Sequence, residues 1–276
     1  MTTTESRPEV GATTDTGGFK TNYLEAGQGD PVVLIHGSGP GVTAYANWRL
    51  VIPSLAEHFR VLAPDMVGFG FTERPADVTF GVQTWADQVV NMLDSLDISR
   101  AHLIGNSFGG SIALRVAAQH PERVGKLVLM GSMGVHFEIT EGLERVWGYE
   151  PSIENMRGVM DVFAYSRELV NDELAEVRFR ASTQPGFQES FSAMFPAPRQ
   201  RWVEAQTTPE EQIRQLPHQT LVVHGREDQV IPLETSYKLA SLIDNADLHV
   251  FSHCGHWSMI ERSVQFNRIV GDFLRD

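Results

Sequence analysis

Three scarcities bound this 276-residue chain before any motif is considered. Cysteine occurs once, at Cys254, so no internal disulfide can form and a reducing compartment is expected. Positive charge is short: 22 Lys and Arg stand against 35 Asp and Glu, a formal net charge of -13. That balance argues against nucleic acid or an anionic membrane as a partner held by bulk electrostatics. It leaves an anionic small molecule open, because a single arginine can dominate the field inside a pocket. Long apolar runs are missing as well. No stretch reaches the ~20 residues that span a bilayer, and the opening MTTTESRPEVGATTDTGG lacks the apolar segment of a signal peptide. A cytoplasmic protein is expected.

What is present is a regular alternation. Apolar runs of strand length occur at Pro31–Ile35, Arg60–Ala63, Ala101–Ile104, Lys126–Met130, Thr220–Val223 and Leu248–Phe251. Such near-continuous runs are expected where both faces of a strand are covered. Amphipathic helix-length segments lie between them, for example 82–96, with Val82, Trp85, Val89, Met92, Leu93 and Leu96 at helical spacing. The pattern predicts an α/β fold with a mainly parallel sheet and helices on both faces. Residues 1–17 are expected to be disordered. From 134 to 212 no buried strand is evident; helical periodicity (Ile153, Met156, Val159, Met160, Phe163) and proline punctuation replace it. This stretch is expected to be a helical lid inserted between the core segments 18–133 and 213–276.

The hexapeptide Gly105-Asn106-Ser107-Phe108-Gly109-Gly110 follows one of the strands and opens a helix. That context fits the G-x-S-x-G nucleophile elbow, whose tight turn tolerates only small flanking residues and lifts the serine hydroxyl above the strand ends. A serine needs a base, and the base needs an orienting acid. Members of this fold run serine, acid, histidine in chain order. His256, just past the last strand, is the favoured base, with His253 as rival. Asp228 is the favoured acid on the loop after Thr220–Val223, with Glu227 beside it. The oxyanion hole requires two backbone N–H donors. Phe108 supplies one, and Ser38 in the loop His36-Gly37-Ser38-Gly39-Pro40-Gly41 the other. That loop lacks a P-loop lysine and does not fit a dinucleotide fingerprint.

Cys254 is disfavoured as a nucleophile because it lies on no elbow. His249, His253, Cys254 and His256 have spacings that match no zinc signature. Neither a metal nor a cofactor is expected.

The glycine loop followed by Asn47-Trp48-Arg49, the elbow, and Cys254-Gly255-His256-Trp257 together resemble the meta-cleavage product hydrolases. So do Trp147-Gly148-Tyr149, Gln184-Pro185-Gly186-Phe187 and the run from Phe195 to Trp202 in the lid. The likeness extends from about residue 20 to the end, and it is nearest the branch acting on ring-fission products of catechol and alkylcatechols. It implies hydrolysis of the C5–C6 bond of a 2-hydroxy-6-oxohexa-2,4-dienoate to 2-hydroxypenta-2,4-dienoate and a carboxylic acid. It implies anchors for the substrate's carboxylate end at Gly39, Asn47, Asn106, Arg178 and Trp257, with Arg180 as the alternative cation. It further implies an apolar lining of Met133, Val203 and Ile231 around the C6 substituent. Whether Ser107 forms an acyl-enzyme or His256 activates water directly stays open, and the family analogy leaves a homo-oligomer open. Two other readings share the triad or the scaffold: an esterase-type acyl hydrolase and a non-catalytic small-molecule receptor. Haloalkane dehalogenation is disfavoured, because its nucleophile would be aspartate where Ser107 stands.

Overall fold

Strands whose side chains are apolar on both faces must be sandwiched, and here they build the centre of one eight-stranded sheet. The computed structural model describes residues 7–276. The strands are β1 (Ala12–Asp15), β2 (Lys20–Ala26), β3 (Pro31–Ile35), β4 (Arg60–Pro64), β5 (Ala101–Asn106), β6 (Val124–Met130), β7 (Thr220–Gly225) and β8 (Ala246–Phe251). Their spatial order is β1-β2-β4-β3-β5-β6-β7-β8. β1 and β2 pair antiparallel, as do β2 and β4; every other neighbouring pair is parallel.

Alternating side chains feed two buried layers. Val33, Leu62, Leu103 and Leu127 face one, with Phe108 and Trp85; Val32, Leu34, Ile104 and Val128 face the other, with Trp48 and Phe266. Full burial of each such side chain contributes about 2 kcal/mol.

The expectation of disorder through residue 17 is corrected by β1. This edge strand is polar, so its sequence carries no apolar alternation, and its order comes from backbone pairing and buried polar contacts. Thr16 Oγ1 lies 2.7 Å from Thr21 Oγ1, and Asn22 accepts from Gly11 N and donates to Glu9 O. Residues 1–6 of that expected segment lie outside the described residues.

The helices are α1 (Ala44–Trp48), α2 (Ile52–Leu55), α3 (Val82–Ser95), α4 (Phe108–Gln119), α5 (Glu141–Trp147), α6 (Ile153–Phe163), α7 (Asp172–Ser182), α8 (Phe187–Met194), α9 (Gln200–Ala205), α10 (Glu210–Arg214), α11 (Leu233–Leu242), α12 (Ser258–Glu261) and α13 (Ser263–Arg275). α5, α6 and α7 are capped by Thr140, Ser152 and Asn171, whose side chains accept from backbone N–H groups of the first turn. None of the described helices is long and apolar enough to cross a membrane.

Helices α5–α9 form an insert between β6 and β7. Its two ends meet where Thr208 N donates to Gly134 O at 2.9 Å, while α10 packs against α4 and α11 of the core. The insert is seated over the carboxyl ends of the strands by three contacts. Trp147 donates from Nε1 to Ser38 Oγ at 2.9 Å, Trp257 N donates to Phe163 O at 3.2 Å, and Glu261 Oε2 accepts from Tyr165 N and Ser166 N.

Candidate active site

The elbow places Ser107 between β5 and α4 with φ 55 and ψ -116, a strained conformation that non-glycine residues adopt only when the surroundings enforce it. Enforcement comes from close backbone approach. A Cβ on Gly105 would lie 2.3 Å from Gly109 O, and one on Gly109 would lie 2.2 Å from Ile35 O. The turn is held to the neighbouring strand by Ser107 N donating to Met130 O at 2.8 Å. Phe108 is the first residue of α4, so its N–H belongs to the unpaired donors of a helix start.

Asp228 and His256 meet in the loops after β7 and β8. His256 Nδ1 lies 2.7 Å from Asp228 Oδ2, and both side chains are almost wholly buried. The carboxylate is saturated with donors. Oδ1 accepts from Val230 N and Ile231 N, and Oδ2 also faces His224 Nε2 at 3.2 Å. Burial alone would raise the Asp228 pKa, but the two histidines and their hydrogen bonds outweigh it and hold the group well below the usual carboxylate range. An ionised Asp228 fixes the His256 tautomer with Nδ1–H donating, which leaves Nε2 as the bare base.

His224 was not among the expected site residues. Its Nδ1 lies 2.6 Å from Ser236 Oγ and its Nε2 3.0 Å from Ile231 O. Its sequence setting, inside an apolar strand, looks like that of a core histidine. The rivals to the triad stand elsewhere. His253 is exposed and rests against Tyr165. Glu227 accepts from Cys254 N and pairs with Arg226. The Cys254 thiol is buried, and burial pushes it up to about 12.

The loop after β3 is organised by His36, fully buried and held neutral by burial, which pushes its pKa down to about 4. Nε2 accepts from Met66 N at 2.9 Å, so Nδ1–H is the donor to Gly37 O at 2.8 Å. Asn47 Oδ1 accepts from Gly37 N at 3.2 Å. These bonds aim the Ser38 segment at the elbow.

Ser107, His256, Ser38, Gly39, Asn47, Asn106, Arg178 and Trp257 all line one space. Its apolar wall is Val42, Leu143, Phe163 and Val230. Met133, Val203 and Ile231, expected as that wall, are buried in the hydrophobic core and are not among the lining residues. Val230 and Ile231 both turn their N–H groups to Asp228, but only Val230 takes a wall position, a one-residue offset that loop sequence does not reveal.

Part of this lining has a different electrostatic character. Asn47 Nδ2 and Asn106 Nδ2 are buried with no hydrogen-bond partner among the described residues. Arg178 makes one long bond, 3.4 Å to Pro40 O, has no acidic partner among the described residues, and lies over Trp257 with 5.9 Å from Cζ to the ring centre. Burial, reinforced by the like charge of Arg49, pushes its pKa down to about 10, so it stays cationic. Arg180 instead pairs outward with Glu176.

A serine on an elbow, a His–Asp pair beyond the next strand ends and a glycine-rich loop facing them define an α/β-hydrolase. Residues 30–263 match the family described as alpha/beta hydrolase fold. The chain is 58% identical over 276 residues to 2-hydroxymuconate semialdehyde hydrolase of Pseudomonas sp. strain CF600, covering 100% of this chain and 98% of that one. It is 57% identical over 271 residues to 2-hydroxy-6-oxo-2,4-heptadienoate hydrolase of Pseudomonas putida F1, covering 98% of each. A solved meta-cleavage product hydrolase from Pseudomonas fluorescens IP01, a serine-to-alanine variant complexed with acetates, superposes with a TM-score of 0.96 at 55% identity, covering 98% of this chain and 99% of that one. The chain belongs to the meta-cleavage product hydrolases, which are carbon–carbon bond hydrolases.

Proposed function

We propose that this chain hydrolyses the C5–C6 bond of 2-hydroxy-6-oxohexa-2,4-dienoates that carry hydrogen or a small alkyl group at C6, using Ser107, His256 and Asp228. One observation carries the reading. A buried Ser-His-Asp set shares a small space with a cation and two amide donors that lack protein partners. Buried polar groups are normally satisfied, so two amide donors without protein partners beside an unpaired arginine suit an anion. The 2-oxo and carboxylate end fits there, which places C6 towards Ser107 and the N–H groups of Ser38 and Phe108. The two curated relatives act, by name, on a semialdehyde and a heptadienoate, which bear hydrogen and methyl at that carbon.

The dienol resists cleavage because its C5 cannot leave with an electron pair. The O2 proton must be removed and C5 protonated, which yields the 2,6-dioxo-3-enoate. His256 Nε2 is the group placed to carry this proton. The Ser107 hydroxyl then adds to C6 as His256 takes its proton, and the oxyanion forms against the two backbone donors. Breaking C5–C6 sends its electron pair through C4 and C3 to the 2-oxo oxygen. The product is 2-hydroxypenta-2,4-dienoate once that oxygen is reprotonated, and the acyl group remains on Ser107. Water, deprotonated by His256, releases the carboxylic acid. The net reaction consumes one water and needs no redox partner.

The test mixes the protein with the yellow dienoate and follows its visible absorbance. Wild type is expected to bleach it rapidly. Ser107→Ala is expected to bind it and keep the colour, with turnover reduced about 10⁴-fold or more. Rapid p-nitrophenyl ester cleavage without dienoate turnover would identify an esterase instead. Dienoate binding by wild type with no turnover of either would identify a receptor.

A further inference from the structure

The space around Ser107 does not end at Arg178. A second cavity adjoins it, and Asn47, Arg178 and Trp257 line both. Its outer walls are Ala46 and Arg49 at α1, Leu169 and Leu174 at the start of α7, and Ile260 of α12. These five residues are partly exposed, so the cavity reaches the surface along the seam between the insert and the core.

Arg49 stands at this seam. Its Nη1 donates to Ala46 O at 2.7 Å, and it has no acidic partner among the described residues. Its charge lies near enough to Arg178 to depress that guanidinium further, beyond the effect of burial. Two neighbouring cations without a carboxylate between them are unfavourable in the empty protein and become favourable once an anion joins them. The rest of the chain makes such a device necessary. At a net charge of -13 the molecule as a whole repels a dienoate, so capture depends on locally focused positive potential.

We infer that this cavity is the portal through which the dienoate enters and its first product leaves, and that Arg49 is the portal's outer anion-binding residue, exchanging the carboxylate with Arg178. The inference rests on the dienoate orientation proposed above. In that orientation the carboxylate already lies at the portal when C5–C6 breaks. The 2-hydroxypentadienoate then departs carboxylate first, without passing the acyl group on Ser107. The apolar walls suit the diene chain that follows the carboxylate.

The test measures kcat/KM for the yellow dienoate as a function of salt in wild type, Arg49→Lys, Arg49→Gln and Arg49→Glu. At ~20 mM salt, where screening is weak, we expect about a threefold loss for R49Q and about a tenfold loss for R49E. R49K should stay within about twofold of wild type, and the differences should close by ~0.5 M salt. A wild type that turns over the dienoate while all three variants match it at low salt would overturn the portal and leave the proposed function standing. Losses that persist undiminished at high salt would also overturn it, since they would report packing and not charge. A wild type that fails to turn over the dienoate would instead refute the proposed function. As a steric control, Leu174→Trp should lower kcat/KM at every salt concentration; unchanged kinetics there would show that the ligand passes elsewhere.

Discussion

The two ends of the Ser107 cavity are built on opposite rules. At the proposed catalytic end the acid and the loop after β3 are fully partnered. Asp228 receives donors on both oxygens, and His36 uses both ring nitrogens. At the proposed carboxylate end Arg178, Asn47 and Asn106 are left wanting acceptors. The first arrangement preorganises groups that must not move during reaction. The second stores unsatisfied donors that a ligand completes. The contrast therefore separates residues that act on the fold from residues that act on the substrate, and it can be broken experimentally.

The largest effect comes from a crossed pair of substitutions. Asp228→Asn should lower kcat by about 10⁴-fold through loss of the His256 tautomer. It should also destabilise the protein by about 3 kcal/mol, because a saturated buried network loses its charge. Arg178→Met should lower kcat/KM by about 10²-fold, the loss of charge-assisted hydrogen bonds to a carboxylate. Its thermal midpoint should hold or rise, since an unpaired buried cation is removed. Equal destabilisation by both variants, measured by urea titration, would erase the distinction between the two ends.

The next effect is read in pH. His36 is neutral in the fold with a pKa of about 4, against about 6.5 when unfolded. Between these values the unfolded chain binds a proton that the native chain refuses, so this contribution to stability falls as the pH falls. The shift corresponds to about 3 kcal/mol, present above pH ~6.5 and lost by pH ~4. Asp65, which holds the neighbouring turn through Ala44 N, Phe71 N and Asn22, works in the opposite sense. Burial raises it to about 6, so the native state holds a proton that the unfolded state has released, and stability is gained as the pH falls through that window. The stability difference between wild type and His36→Gln isolates the first effect and should shrink by about 3 kcal/mol from pH 7 to pH 4. A constant difference would mean that His36 is not held neutral by the loop.

How much of this was legible in the sequence follows the same division. The parallel strands and α3 were readable because burial on one or both faces leaves a periodic apolar imprint; β1 left none, since backbone pairing of polar edge residues has no apolar signature. Motif and chain order single out Ser107, Asp228 and His256, and the fold brings Asp228 and His256 into contact. His36 and His224 were illegible as organisers, because a histidine's role depends on which two atoms face its nitrogens. The offset between Ile231 and Val230 is similar: loop side chains follow no period, so which neighbour faces the cavity is settled only by tertiary contacts.

His224 gives an intermediate effect at the partnered end. Its Nε2–H supports the Oδ2 atom that also receives His256, so His224→Gln should lower kcat about tenfold, a loss of about 1.5 kcal/mol. The acid limb of the kcat/KM profile should move to higher pH, because His224 is one of the groups that hold the Asp228 carboxyl low. A kcat loss without any movement of the pH profile would assign His224 to packing alone.

The smallest effect tests whether the insert belongs to the catalytic end. Trp147 of α5 donates to Ser38 Oγ at 2.9 Å and stacks on Phe195 with ring centres 4.3 Å apart and planes inclined by 4°. Trp147→Phe keeps an aromatic ring for the stack while removing the donor and the volume of the second ring. Ser38 lies on the loop whose backbone N–H is proposed to meet the oxyanion, so the hydrogen bond connects the insert to transition-state stabilisation without touching the Arg178 end. One neutral hydrogen bond is worth about 1 kcal/mol, so kcat should fall about fivefold. KM and the affinity of the Ser107→Ala background for the dienoate should be unchanged, because ground-state binding relies on the other end. Weakened dienoate binding in Ser107→Ala/Trp147→Phe would show that the two ends are coupled through the insert, and the division drawn between them would have to be given up.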